Sequence, residues 1–302
     1  MVKLLSAAAP AKINLFLRVT GRRADGYHEL DSIFLPISLA DRIGLALREG
    51  GGPAVYLRSD SDGLGPDDQN LAVRAARAFM AEYGIDAVVA IDLRKRIPPG
   101  AGLGGGSSDA AAVLRMLAEL FRVEDGPRLR KIALRLGADV PFFLDPRPAR
   151  VRGIGERIEP LDSFAALAMV LAMPPIAVAT AAVFRALEPA HWSGPAADTV
   201  IAALGAGRIE PALLVNDLAA AASAAYPLIG QLQQGLVAAG ARAAAMTGSG
   251  GATFGIFSTL AAAEAAAAEL RAQFPSVSFA AVTTADRDFS GPARLARSTP
   301  SA

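Results

Sequence analysis

The chain has 302 residues, 52% of them hydrophobic and 20% charged, enough apolar material for two buried cores without covalent staples. It contains no cysteine and only two histidines, His28 and His191, which excludes a disulfide framework and any cysteine-ligated metal centre and leaves too few imidazoles for a histidine metal site. Its 30 basic and 29 acidic residues balance to +1, against the clustered basic excess that nucleic acid as main partner would require.

In chain order, residues 1–6 have too short an apolar run for a signal peptide, so a cytoplasmic protein is expected. Residues 11–20 alternate apolar and polar and predict a strand. A polar turn around Asp25-Gly26 follows, then strands over 30–39 and 42–47. Residues 69–83 switch to helical spacing, with Leu71, Ala75, Ala78 and Phe79 on one face. A strand over 88–93 leads into a glycine-rich segment, and 110–121 is helical. Past Pro160 the pattern gives a buried strand over 168–173 and helices at 181–187 and 227–239. A strand, turn and strand over 243–257 precede an alanine-rich helix at 260–274 and a closing strand at 277–282. The uncharged run 164–184 is long enough for a membrane span, but Pro174-Pro175 divides it into two buried elements flanking a turn, so no membrane partner is expected. This alternation predicts an α+β protein in two domains, 1–160 and 161–286, with 287–302 a disordered tail rich in Pro, Ser and Arg.

The strongest chemical signal is the run Pro98, Pro99, Gly100, Ala101, Gly102, Leu103, Gly104, Gly105, Gly106, Ser107, Ser108, set between a strand and a helix. Glycines let a loop curl with its amides turned inward and let a bulky anion approach; a helix N-terminus behind them attracts phosphate. Ser107 or Ser108 is placed to cap a helix starting near Asp109. The segment lacks the Gly-Lys-Ser/Thr ending of a Walker loop, and Ser107 stands where a dinucleotide fingerprint needs its third glycine.

The run from Pro99 into Ser107-Ser108-Asp109-Ala110-Ala111 resembles the phosphate loop of the galactokinase, homoserine kinase, mevalonate kinase and phosphomevalonate kinase (GHMP) superfamily. Four further segments resemble its 4-diphosphocytidyl-2-C-methyl-D-erythritol kinase family: 10–17 (PAKINLFL), 23–30 (RADGYHEL), 136–143 (LGADVPFF) and 246–251 (MTGSGG). The resemblance runs from about residue 10 to about residue 283. It implies a two-domain α+β kinase with the ATP and substrate sites in an inter-domain cleft, using ATP and Mg²⁺ on the cytidine diphosphate-linked methylerythritol, as a monomer or weak homodimer. Lys12 and Asp139 match the family's catalytic pair. Tyr27, His28 and Phe184 match residues that hold the cytosine, with Thr180 beside Phe184, and Asn14 matches the acceptor pocket. Thr247 and Gly248 match a glycine turn packed beside the phosphate loop, while Asn70 and Lys95 fall where the adenosine pocket is expected. No residue is assigned as a metal ligand. Taken alone, Lys12 reads equally as a solvated strand residue, Asp139 or Asn70 as a helix cap, and Tyr27-His28 as an ordinary hairpin. A related kinase with another alcohol, such as mevalonate or homoserine, and a non-catalytic nucleotide-binding relative are the alternative readings.

Overall fold

The computed structural model describes residues 2–61, 68–161, 164, 166–187, 195–285 and 293–294. Its first sheet is dominated by two long antiparallel strands, β1 (Val2–Arg22) and β2 (His28–Glu49). The sequence predicts three shorter strands here. They are continuous because the apparent breaks are absorbed as register shifts, at Pro10/Ala11, Asn14/Phe16 and Val19/Gly21. A proline has no N–H to give a ladder and is tolerated at such irregularities. The first shift also changes which face is buried where. Leu5, Ala7 and Ala9 belong to the core beneath the helices, whereas Ala11, Ile13 and Leu15 belong to a second core between the sheets.

Beyond β2 the same sheet continues with β3 (Ala54–Ser59), parallel to β4 (Ala87–Arg94), and with β5 (Ala149–Gly153) and β6 (Arg157–Pro160). Its outer face is covered by α1 (Leu71–Tyr83), α2 (Gly105–Phe121) and α3 (Gly126–Leu136), through Phe79, Met80, Leu114 and Leu117 packed against Ile43, Leu45 and Ile91. Helix α2 starts about five residues before the predicted position. Its N-cap is Gly104, which makes no side-chain cap bond, so Ser107 and Ser108 lie in the first turn and do not cap the helix as expected.

The second sheet has strand order β10-β7-β9-β8, with β7 (Ala168–Met173), β8 (Ala243–Met246), β9 (Thr253–Phe257) and β10 (Ser278–Thr283). Short helices α4 (Thr180–Arg185), α5 (Ala197–Gly205) and α6 (Ala219–Ala225) lead to α7 (Pro227–Ala238), and α8 (Leu260–Gln273) follows β9. Leu232 and Leu236 of α7 and Leu270 of α8 cover one face of this sheet. Its other face, through Met169, Leu171, Phe254 and Ile256, packs on Ile13, Leu15, Phe16, Ile33 and Leu35 of β1 and β2. The change of sheet falls after β6, and we propose the domain division there, at Pro160. The predicted tail falls largely outside the described residues; Ala293–Arg294 is described and forms a short strand, β11, paired with Leu5 and Ser6 of β1. No helix among the described residues is long and apolar enough to cross a membrane.

Candidate active site

Between its first and second irregularities of register, β1 carries the central polar pair of the site. Lys12 and Asn14 share one face of the strand, since side chains alternate with a period of two. Both are buried, Lys12 being only 4% exposed, in a stretch where every residue from Ala9 to Leu17 is buried. The Lys12 ammonium donates to Asn14 Oδ1 at 2.6 Å and lies 3.6 Å from Asp139 Oδ2 and 4.6 Å from the centre of the Phe34 ring. Asn14 is itself fixed on three sides. Its Nδ2 donates to Ser32 Oγ at 2.9 Å, its backbone N–H donates to Thr247 Oγ1 at 2.8 Å, and Ser32 donates onward to the Phe16 carbonyl.

Asp139 stands between Gly137, which ends α3, and a 3₁₀ turn over Val140–Leu144 whose Pro141 has no N–H to be capped. The carboxylate makes no capping bond to that turn. About a third of it is exposed, and it faces a cavity of about 1100 Å³, slightly above the usual range for small-molecule sites. Lys12, Asn14, Tyr27, His28, Gly102, Gly104, Asp139, Thr180, Phe184 and Gly248 all line that cavity. At one end the His28 ring stacks on Phe184, with centroids 5.1 Å apart and planes at 28°. His28 opens β2, whereas Phe184 lies on α4, so this contact joins the two halves of the chain. Burial and the nearby Arg22 charge lower the His28 pKa, which keeps the ring neutral at pH 7, with one donor and one acceptor nitrogen. The close His28–Phe184 stack leaves no space for a base between these two rings. Tyr27 is 63% exposed beside them. Thr180 is tied to Ser249 through their hydroxyls at 2.6 Å, which anchors the start of α4 to the glycine turn.

The glycine-rich loop separates this cavity from a second of about 190 Å³, lined by Asn70, Lys95, the loop from Pro98 to Gly106, and Asp109. Gly102 and Gly104 border both. The loop is held from below by backbone bonds, from Lys12 N–H to the Leu103 carbonyl (2.9 Å) and from Ala252 N–H to the Ala101 carbonyl (3.1 Å). Gly104 has φ of +73°, and a Cβ there would come within 2.8 Å of the Phe143 ring and 3.2 Å of Lys12 Cγ. Gly248 has φ of +61° and sits against the Gly102 carbonyl, so the glycine turn and the loop meet backbone to backbone. Thr247 does not reach either cavity; it is fully buried and acts through Asn14. Ser108 is also buried. Asn70 lines the smaller cavity while its side chain caps α1, accepting from Ala72 N–H at 2.9 Å.

Two polar residues of this neighbourhood, Ser32 and Asp41, carry no signal in the sequence that separates them from ordinary strand residues, and Asp109 stands in the loop motif without an assigned role. Ser32 orients Asn14. Asp41 and Asp109 bind the Lys95 ammonium at 2.5 and 2.9 Å. Burial would pull Lys95 down, but the two carboxylates outweigh it and hold its pKa above the ordinary value. Burial, with Asp41 adding and Lys95 opposing, pushes Asp109 up to about 7. Among the described residues, no group of three or more His, Asp or Glu side chains could by itself hold a metal ion.

A buried ammonium beside a carboxylate about a third exposed, next to a glycine loop at a helix N-terminus, can hold phosphate and take a proton from a hydroxyl. Comparisons with known proteins agree. Residues 70–145 match the family described as GHMP kinases N terminal domain, and residues 200–276 match GHMP kinases C terminal. A 4-diphosphocytidyl-2-C-methyl-D-erythritol kinase of Anaeromyxobacter dehalogenans is 46% identical over 267 residues, covering 87% of this chain and 84% of the relative. A crystal structure of 4-(cytidine 5'-diphospho)-2C-methyl-D-erythritol kinase superposes with a TM-score of 0.81 at 39% identity, covering 92% of this chain and 98% of that one. Homoserine kinase from Cytophaga hutchinsonii shares the fold, with a TM-score of 0.72 at 18% identity over 97% of both chains. Likeness at the level of sequence as well as fold decides between these relatives: the chain belongs to the 4-diphosphocytidyl-2-C-methyl-D-erythritol kinase family of GHMP kinases.

Proposed function

We infer that the protein transfers the γ-phosphoryl group of ATP to the 2-hydroxyl of 4-diphosphocytidyl-2-C-methyl-D-erythritol, a step in forming isoprenoid precursors by the non-mevalonate route. The observation that carries this reading is one cavity with the Lys12–Asp139 pair at the phosphate loop and the His28–Phe184 stack at its other end. A cytidine held by the rings lays its alcohol end towards Asp139. Neutral His28 offers both a donor and an acceptor to the base edge, and exposed Tyr27 is free to cover a face of the base.

In this reading the Asp139 carboxylate accepts the proton of the attacking hydroxyl, and the Lys12 ammonium offsets charge on the phosphoryl in transfer. Asn14, fixed by Ser32 and Thr247, keeps that ammonium in place. The loop amides from Gly102 to Gly106 and the N-terminus of α2 receive the nucleotide phosphates, while Asn70 and the smaller cavity receive its nucleoside end. Mg²⁺ fits this donor set as an ion brought by the nucleotide, its oxygens coming mainly from phosphates, with Asp139 the carboxylate that faces the cavity beside Lys12. When bound it would neutralise charge on the phosphates.

The test is ADP release from the purified chain with the cytidine substrate, mevalonate or homoserine as acceptor. Turnover with the cytidine substrate alone is expected. Turnover with mevalonate or homoserine would favour another GHMP alcohol kinase, and ATP binding without turnover on any acceptor would favour a non-catalytic relative.

A further inference from the structure

The resemblance places Lys95 in the nucleotide pocket, yet its ammonium is already committed on both sides, to Asp41 Oδ2 at 2.5 Å and to Asp109 Oδ2 at 2.9 Å. All three side chains are more than nine-tenths buried. Asp41 lies on β2 at the point where β4 leaves the sheet, one position beyond the last Arg42–Arg94 pair of their ladder. There its other oxygen accepts the backbone N–H groups of Arg96 at 2.5 Å and Ile97 at 2.8 Å, the residues that lead into the phosphate loop. Asp109 lies in the first turns of α2, the helix into which the loop runs. Lys95 thus joins the strand before the loop to the helix after it. The ammonium also lies close under the loop itself, 3.4 Å from where a Cβ on Gly105 would stand, with Ile97 2.9 Å from the same point.

We propose that Asp41 is a positioning residue for the ATP site: through Lys95 and the Arg96 and Ile97 amides it fixes both ends of the phosphate loop at the spacing that phosphate needs. The geometry argues against a role confined to stabilising the fold. Among the described residues Asp41 is the one acid that holds both the entering backbone and the cation tied to the exit helix, so neutralising it loosens the frame without removing a group from either cavity; it lines neither. The buried Asp109 Oδ1 has no hydrogen-bond partner, so the Asp109 end of the frame is held through its other oxygen, by Lys95 and the adjoining Asp41. The inference rests on the reading of the loop as the ATP phosphate site.

The test compares wild type, Asp41→Asn, Asp109→Asn and the double variant by calorimetric titration with an ATP analogue and with the cytidine substrate, alongside melting curves and steady-state kinetics. Asp41→Asn keeps an oxygen for the two amides but removes the charge facing Lys95. It is expected to weaken ATP binding about 10–100-fold, the range for hydrogen bonds to charged groups, with the cytidine substrate's affinity changed less than about twofold. Because both acids act through Lys95, the double variant should lose less than the product of the two single losses. ATP affinity unchanged in a folded Asp41→Asn, equal loss for both ligands, or fully multiplicative losses would each overturn the proposal. Should Asp41→Asn fail to fold, Asp41→Glu, which keeps the charge on Lys95 but lengthens the arm to the two amides, decides by the same ligand contrast, since Asp109 itself lines the smaller cavity. A wild type that binds no ATP would instead overturn the assignment of the loop, so the two failures are distinct.

Discussion

Asp139 occupies a position where an aspartate commonly caps a helix, but the turn that follows begins Val140-Pro141 and takes no bond from it. Its carboxylate therefore remains directed to the cavity and to Lys12, at 3.6 Å. Removing its basicity while keeping its shape tests the proposed role. Asp139→Asn is expected to lower kcat by roughly 10²–10⁴-fold, the span of general-base catalysis, with a melting temperature close to wild type. Near-normal turnover would exclude Asp139 as the base. Phe184 tests the other end of the cavity. Truncation to Ala removes the ring stacked on His28, and since base–aromatic stacking contributes about 1–3 kcal/mol per base, kcat/KM for the cytidine substrate should fall roughly 5–150-fold. ATP affinity in the same variant should stay as it is, because Phe184 does not border the smaller cavity. A matched loss of ATP affinity would show that the ring supports the fold and not the substrate.

At the scale of elements, the glycine-rich loop is built by exclusion of side-chain volume. Gly104 combines φ of +73° with a phenylalanine ring 2.8 Å from its absent Cβ, whereas a Cβ on Gly106 meets nothing nearer than Leu71 at 3.6 Å. Gly104→Ala should therefore lower stability by about 1–2 kcal/mol from the left-handed backbone alone, more with the clash, while Gly106→Ala should cost no stability. Chemical denaturation of the two variants checks this, and equal midpoints would contradict the loop geometry. Helix α2 carries a second consequence. Asp109 is raised from 3.8 to about 7, so between these values the folded chain binds a proton that the unfolded chain has released. Its contribution to stability is fullest below about pH 4 and is lost as pH rises towards 7. The melting temperature of wild type minus that of Asp109→Asn should fall across this range. A flat or rising difference would mean that Lys95 outweighs the burial of Asp109.

For the whole molecule, the second core is shared between the halves. Ile13 and Phe16 of β1 and Ile33 of β2 pack with Met169 and Leu171 of β7 and Phe254 of β9, and Leu103 and Ala101 of the phosphate loop belong to the same cluster. Two units joined in this way cannot expose one side without exposing the other. Thermal unfolding is expected as a single cooperative transition, with calorimetric and van't Hoff enthalpies equal; two separated transitions would show that each half folds by itself.

The sequence by itself determined those features whose causes are local. The glycine run between a strand and an apolar helix marks a tightly curled loop because only glycine permits the required backbone, and alternation or helical spacing marks most of the elements. Short motifs around Lys12, His28, Asp139 and Thr247 carry the family resemblance. Helix α3 is not among the expected elements although Leu129, Ile132, Ala133 and Leu136 stand at helical spacing, and the run Ala219–Ala225 has no polar face to give a period. Tertiary structure alone decided what depends on residues distant in the chain. Continuous β1 and β2 arise because cross-strand pairing outweighs the local break at Pro10. The start of α2 at Gly105 arises because Phe143 and Ile97 close around the loop glycines, which no serine downstream could foretell. Lys95 shows the same dependence most directly. The family resemblance puts it in the adenosine pocket, and only the approach of Asp41, 54 residues earlier, and Asp109, 14 residues later, makes it a buried tie. Charge in water is cheap, and charge in a core is held only by partners; those partners are assigned by the fold.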